Sequence, residues 1–300
     1  MRWARQYSKN LSEVDRIRER LDALLLAFDR ESTRGRDPVD FVHRYRDPRD
    51  QEVVGLVASF LAFGNVVSAR RSIERVLETL GPEPSTTVVE SDRGALRRRL
   101  RGFVHRIYRG EHLASMLAHS GALLRENDTL GDVFAEHHRA SDGDFREAMA
   151  RFADDLRGVT RSRSLRHLVS DPRGGSACKR LLLYARWMVR PADGVDLGLW
   201  KVSPAELLIP VDTHIHRISQ NLGFTNRRTA TWMTAEEITA ALRRLDPEDP
   251  VKYDFALCHM GVSRDCPSRP EPETCEDCVL RSVCRVWTGK RWGASAKKAG

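Results

Sequence analysis

No run in this chain is apolar for long enough to cross a membrane, since charged residues interrupt every hydrophobic stretch short of the ~20 residues a span needs. Met1 to Arg30 mixes both signs of charge, so the apolar core of a signal peptide is missing too. Cysteine is almost absent from most of the sequence. Cys178 stands alone, and Cys258, Cys266, Cys275, Cys278 and Cys284 all fall in the last 43 residues. A fold built on disulfides would spread them along the chain. These absences exclude a membrane-spanning or disulfide-stapled protein and imply a soluble, cytoplasmic one. Strand-like alternation is also scarce, and there is no tandem repeat, low-complexity tract or obvious interdomain linker.

What the chain does have is helical periodicity. At 300 residues it can bury a large core, as one compact unit or two lobes. Leu11, Val14, Ile17, Leu21, Leu24, Leu25 and Phe28 trace an amphipathic stripe. Asp47-Pro48 reads as an N-cap with a first-turn proline, opening a helix apolar all round from Val53 to Ala62 that belongs in a core. It ends at Phe63-Gly64-Asn65, and the next runs from Val66 to Leu80 before Gly81-Pro82. Thr86 to Gly94 reads as a polar connection. Leu113 to Leu124 and Phe145 to Leu156 are helical, joined by a loop around His137-His138, and adjacent histidines do not share a helix face as metal ligands would. Leu181 to Val189 is helical, and Pro191 to Pro210 is an irregular insertion holding Trp200. Thr234 and Glu237 read as a capping box for a helix through Leu245, and Asp249-Pro250 starts a last core helix ending at Gly261.

Charge is high at both signs. Lys plus Arg exceed Asp plus Glu by 50 to 42, a net +8 and a pI near 9.4, which favours a polyanionic partner. Arg97, Arg98, Arg99, Arg101, Arg106 and Arg109 follow one another without an acid, with Phe103, Ile107 and Tyr108 among them. On a solvated helix face these charges would repel one another, a cost that phosphate would relieve. Arg157, Arg161, Arg163, Arg166 and Arg173 form a second basic stretch, with Asp171 its only acid, leading into Gly174-Gly175-Ser176-Ala177-Cys178-Lys179.

Two features carry chemistry. Asp212 stands directly before Ile215, Ile218 and Leu222 at helical spacing, so its carboxylate should cap that helix; on those residues alone it is no more than a cap. Downstream, Cys266, Cys275, Cys278 and Cys284 are spaced C-x8-C-x2-C-x5-C, close enough to aim four thiolates at one centre. Four soft ligands suit a [4Fe-4S] cluster or structural zinc. Zinc more often uses two C-x2-C knuckles and only one is present, which favours iron-sulfur. Cys258, within Phe255-Ala256-Leu257-Cys258, reads as packing rather than a further ligand.

Pro210-Val211-Asp212-Thr213-His214-Ile215 followed by the four-cysteine loop resembles endonuclease III and the adenine glycosylases, members of the helix-hairpin-helix DNA glycosylase superfamily. The resemblance runs from about Gln51 to Trp287, and its specific part is Asp212 to Cys284. Asp37 to Tyr45 and Gly175 to Trp187 also look like a bacterial branch of that superfamily to which no function is assigned. The resemblance implies that Asp212 is the essential aspartate, that Lys179 holds the place of the lysine in bifunctional members, and that Cys266, Cys275, Cys278 and Cys284 are cluster ligands. It puts Asn65 where relatives fill the gap left by an extruded base, and the Gly102 to Arg109 turn where relatives continue a six-helix barrel. Arg106, Arg173, Gly175, Ser176 and His214 are the other expected DNA contacts. Trp187 and Trp200 either stack on an extruded base or belong to the core. The chain departs from the pattern in Ala177, which replaces one hairpin glycine, in the 33-residue offset from Lys179 to Asp212, and in a longer first cysteine gap. The archaeal 8-oxoguanine glycosylases look similar in the long gap and altered hairpin.

The expectation is an all-α, two-lobed helix-hairpin-helix glycosylase-like fold. Residues 50–175 form a six-helix barrel, 176–262 the Lys/Asp helices of the second lobe, and 263–287 the cluster loop. Residues 1–49 pack on the second lobe, 288–300 are a basic tail, and the active site lies between the lobes. The expected activity is base-excision repair by a DNA N-glycosylase with abasic-site lyase activity. Breaking the base–sugar bond leaves positive charge on deoxyribose, which Asp212 stabilises, while a neutral Lys179 attacks C1′ to form a Schiff base. The partner is double-stranded DNA carrying a damaged base, oxidised bases included, or an abasic site. The protein is expected to be monomeric and nucleoid-associated. The alternative is a catalytically silent iron-sulfur protein recognising abasic or distorted DNA. A third reading, modification of free nucleotides or RNA, would not give salt-dependent competition by duplex DNA.

Overall fold

The computed structural model describes residues 12–289; Leu11 of the N-terminal stripe and the basic tail from residue 290 lie outside them. The protein is all-α apart from one small hairpin among the described residues. In chain order the helices are α1 Glu13–Ala27, α2 Arg30–Arg34, α3 Pro48–Leu61, α4 Val66–Leu80, α5 Pro84–Glu90, α6 Arg93–Arg99, α7 Gly110–Glu126, α8 Leu130–Ala140, α9 Phe145–Arg157, α10 Arg163–Leu168, α11 Lys179–Val189, α12 Thr213–Leu222, α13 Trp232–Arg243, α14 Asp254–Val262, α15 Pro272–Glu276 and α16 Arg285–Thr288. The hairpin pairs β1 Val104–His105 with β2 Tyr108–Arg109, antiparallel. No described helix is long and apolar enough to cross a membrane.

Two compact units emerge, one over Arg30–Leu207 and one from the segments up to Asp29 and from Leu208. This division differs from the expected one, because α11 belongs with the helices of residues 50–175 and so do residues 30–49. The reason lies in α3. Asp47 caps it through the amides of Arg49 and Asp50, Pro48 occupies its first turn, and it is buried on all faces from Glu52 to Leu61. A helix apolar all round needs neighbours on every side. Gly55 lets α11 supply one, since a Cβ there would lie 2.5 Å from Met188 Cε and 3.2 Å from the Tyr184 ring.

Trp200 fills the centre of this unit. Its ring packs 5.1 Å from Phe134, 5.3 Å from Tyr184 and 5.5 Å from Phe152, and its Nε1 donates to Glu52 at 2.7 Å. Glu52, 1% exposed, also accepts the amides of Leu130 and Gly131 at the start of α8, both at 2.8 Å. Trp187 is likewise only 1% exposed. Both tryptophans are core residues here, the second of their two sequence readings.

Several local expectations are corrected. Thr86 to Gly94 is not a connection but most of α5 and the start of α6, with Val88 buried. Its close neighbour is α7, where a Cβ on Gly121 would lie 2.0 Å from the Val88 carbonyl. His137 and His138 lie inside α8, where they meet Asp155 and Glu206. The capping box before α13 is formed by Thr231 and Thr234, and the last core helix starts at Asp254 rather than Asp249.

In the second unit, α1 buries Ile17, Leu21 and Leu24 and is tied to the region around α13 and α14. Arg18 Nε donates to the Leu245 carbonyl at 2.7 Å, Tyr253 donates to Asp22 at 2.7 Å, and Phe28 meets Phe255 edge-on at 5.7 Å.

Burial pushes the Glu52 carboxyl up to about 7 despite its three donors. A raised carboxyl stabilises the fold fully below its ordinary value near 4.5, and that contribution is lost as pH rises through about 7. Urea unfolding of the wild type and Glu52→Gln should therefore show a stability difference that shifts by about 3 kcal/mol against the wild type between these limits. A pH-independent difference would contradict the burial argument.

Candidate functional site

Lys179 is the first residue of α11, and the turn before it is unusual. Cys178 is the N-cap in a left-handed conformation, φ 47°, and its side chain makes no capping bond. The first turn carries no acid, only Lys179 and Arg180. Cations at a helix start oppose the helix dipole. Lys179 Nζ donates to the Ala62 carbonyl at 3.1 Å, just past the end of α3. There the chain turns through Gly64, φ 84°, into Asn65, whose Oδ1 caps α4 by accepting the Ser68 amide at 3.2 Å. Asn65 is exposed, and its side-chain oxygen is used in the cap.

Around Phe63 the chain gathers its cations. The rings of His105 and Tyr108 meet it edge-on at 4.7 and 5.1 Å, and the guanidiniums of Arg180 and Arg106 lie 5.4 and 5.7 Å from its centre. Arg180 also donates to Tyr108 Oη and to the His167 carbonyl, and Tyr108 bonds His167 Nδ1 at 2.6 Å. Burial lowers the affinity of His105 and His167 for a proton, Arg180 adding to the effect at His167, which favours the neutral form of both rings. Arg106 sits at the hairpin tip with φ 53°, beside Ile107, which is 56% exposed. The expected barrel turn is thus a hairpin that brings a cation and an exposed apolar side chain to the Phe63 turn. In the sequence Ile107 reads only as one of the apolar residues among the arginines.

The loop before α11 is held largely by itself. Arg173 pairs with Asp171 and with Asp154 of α9, and Ser176 Oγ accepts the Cys178 amide at 3.1 Å. Arg173, the last arginine of the second basic stretch, is therefore met by an acid from another helix, which sequence order hides. Gly175 is different. A Cβ there would meet nothing within 4 Å, so the fold itself supplies no reason for glycine.

In the other unit, Asp212 caps α12 as its position implied. Oδ1 accepts the amides of His214 and Ile215 at 2.9 and 2.8 Å. Oδ2 receives the thiol of Cys258 at 3.5 Å. Cys258 is half-buried and contacts the functional candidate, so it does more than fill space, and nothing in its apolar sequence context signalled this. His214 packs on α14 so closely that a Cβ on Gly261 would lie 2.6 Å from its Cβ.

Further along α12, Arg217, Ile218, Asn221 and Leu222 wall a cavity of about 80 Å³ into which Cys266, Cys275, Cys278 and Cys284 all face. Arg217 donates to the Cys266 carbonyl and to Ser268 Oγ, and Arg281 covers the Trp287 ring at 4.6 Å. Burial pushes the Cys278 and Cys284 thiols up, so a bound metal would have to displace their protons. Among the described residues no three His, Cys, Asp or Glu side chains converge tightly enough for a single ion. A water needs only ~10–15 Å³ of such space, so this cage has room for a larger inorganic group.

Comparison with known proteins gives two findings. A family model described as "Protein of unknown function (DUF2400)" matches residues 37–263. A protein named endonuclease III from Thermotoga maritima is 37% identical over 95 residues, 31% of this chain and 39% of that protein. The chain thus matches about two fifths of that relative's length. No solved structure matches.

The two glycines should separate under urea denaturation. Gly261→Ala forces α12 and α14 apart and should cost ~1–3 kcal/mol, as overpacking does. Gly175→Ala should change stability by less than ~0.5 kcal/mol. Equal costs would refute the packing assigned to the Asp212 helix.

Proposed function

The chain belongs to the DUF2400 family, and from that premise we propose that it is a DNA glycosylase of base-excision repair with abasic-site lyase activity. The substrate is double-stranded DNA with a damaged base, oxidised bases included, or an abasic site. The partial likeness to endonuclease III supports action on DNA. The observation that carries the reading is Lys179 itself. The chain has 43 arginines and only seven lysines, yet a lysine begins α11, where a cation is electrostatically unfavourable. Arginine would supply the same charge but cannot lose its proton to become a nucleophile, whereas lysine can.

Lys179 in its neutral form attacks C1′ of the deoxyribose, and the base departs with the electrons of its bond and takes up a proton as the attacking nitrogen sheds one; the C1′–O4′ bond then breaks, O4′ gaining a proton, to give the ring-opened Schiff base from which the 3′ phosphate is eliminated. Asp212, fixed through Oδ1 by two amides, offers its carboxylate to the positive charge that develops on the sugar. Gly175 presents backbone to a phosphate without a Cβ in the way. Cys266, Cys275, Cys278 and Cys284 would hold a [4Fe-4S] cluster, since all four line one cavity with room for more than a single ion. Its contribution is to lock the chain that follows α14 against α12, and so to steady the helix that Asp212 begins.

Base release and strand cleavage should be measured on duplexes carrying uracil, 8-oxoguanine, oxidised pyrimidines or an abasic site. Asp212→Asn should slow base release by about 100- to 1000-fold. Asn caps a helix about as well as Asp, so that loss reports chemistry rather than folding. Lys179→Gln should abolish strand cleavage. Tight binding with no base release or cleavage on any duplex would instead support the silent DNA-binding reading. Iron and inorganic sulfide should be present in equal amounts and lost in Cys278→Ser, whereas zinc without sulfide would contradict the cluster.

A further inference from the structure

The arginine run of residues 97–109 is only partly used by the site around Lys179. Arg106 reaches Phe63 from the hairpin tip, but Arg97, Arg98, Arg101 and Arg109 line a separate concavity of about 640 Å³ at the hairpin's base. Its floor is Leu100 and Phe103, both buried, and its far wall is Gly110 and Glu111 at the start of α7. This shape is built rather than incidental. A Cβ on Gly110 would lie 2.0 Å from the Leu100 carbonyl, so only glycine lets α7 close the wall, and Gly102 turns the floor with φ 76°.

The arginines nearby divide into two kinds. Arg99 and Arg75 are spent on backbone carbonyls, of Thr79 and Gly102. Arg97 makes one long contact, 3.8 Å, with Glu111. Among the described residues no acid lies within ion-pair distance of Arg98, Arg101 or Arg109, and all three are exposed. The bland account is that basic residues in the last turn of α6 offset that helix's negative end. It covers Arg97, Arg98 and Arg99. It does not cover Arg101 or Arg109, which lie outside α6, or the positive start of the 17-residue α7 facing the same space. Three unpaired guanidiniums around a concavity open to solvent keep their mutual repulsion until an anion enters.

We propose that this groove binds the phosphates of the DNA strand flanking the position engaged by Lys179, a second contact region joined to the first by the hairpin. The proposal rests on the reading that the chain acts on DNA. From Arg106 at the tip to Arg109 at the base is three residues, at most ~10 Å at ~3.3 Å each. That matches roughly three nucleotides of rise along a duplex. A backbone lying over the tip therefore reaches the groove within a few phosphates, and planar guanidiniums suit phosphate oxygens better than point charges do.

The test is the salt dependence of binding to an abasic duplex by three full-length proteins: wild type, the triple Arg98→Ala, Arg101→Ala, Arg109→Ala variant, and the matching triple Arg→Lys variant. Each phosphate contact contributes roughly 0.9 to the slope of log affinity against log salt. The alanine variant should lose about 2–3 of that slope and bind at least ~10-fold more weakly at low salt, while the lysine variant keeps the slope. An unchanged slope in the alanine variant overturns the proposal. So does an equal loss in the lysine variant, since charge would then not be the cause. Competition that is as strong with inorganic pyrophosphate as with duplex would mark a small-anion site and also overturns it. Base release by the wild type on duplexes carrying a damaged base is read separately. Slope loss without chemistry would keep the groove and remove the glycosylase, and chemistry with an unaltered slope would do the reverse.

Discussion

A cation at the start of a buried helix is the constraint on which the Lys179 region depends. Lys179 and Arg180 stand in the first turn of α11, behind a left-handed cysteine that provides no side-chain cap. Each misplaced charge costs about 0.3–1 kcal/mol against the helix dipole. The apolar face behind it is worth more. Leu181, Leu182, Tyr184, Trp187 and Met188 are almost wholly buried, at ~1.5–3 kcal/mol for each large side chain. Packing against α3 therefore fixes where the helix starts, and the unfavourable end is carried along with it. Its cations are then shared among the Ala62 carbonyl, the Phe63 and Tyr108 rings and the His167 carbonyl.

Asp212 solves the opposite problem. There the acid agrees with the helix dipole and satisfies two amides, so the local structure gains from the residue to which the proposed function gives a catalytic role. The same helix contributes its far end to the cysteine cavity and its near end to the contact with Gly261. Capping, close packing and the four-cysteine cage thus act on ten residues of one element, α12. Cys258 adds a polar contact to the other oxygen of Asp212 from α14.

Much of this was legible in the sequence because it was local. Asp212 as a cap, the bounds of α4 and the core character of α3 followed from periodicity and capping residues. What was missed depended on tertiary neighbours. Arg173 looked like part of a free basic stretch, but Asp154 comes from another helix to meet it. Trp200 lies in an irregular stretch, and only the meeting of Phe134, Phe152, Tyr184 and Glu52 shows that it is core. Thr86 to Gly94 read as a polar connection because Val88 is buried against the Gly121 notch of α7, which no window around residue 88 contains. The Lys179 helix was assigned to the wrong set of neighbours because sequence order gives no account of which face of α3 remains to be covered.

The central claim is that the lysine beginning α11 is a nucleophile toward DNA. Borohydride reduction of the protein on an abasic duplex, followed by peptide mapping of the covalent adduct, tests it most directly, and with seven lysines in the chain the assignment is unambiguous. The account predicts an adduct on the peptide containing Lys179. An adduct on any other amine, or no adduct on a duplex that the protein binds tightly, would contradict it.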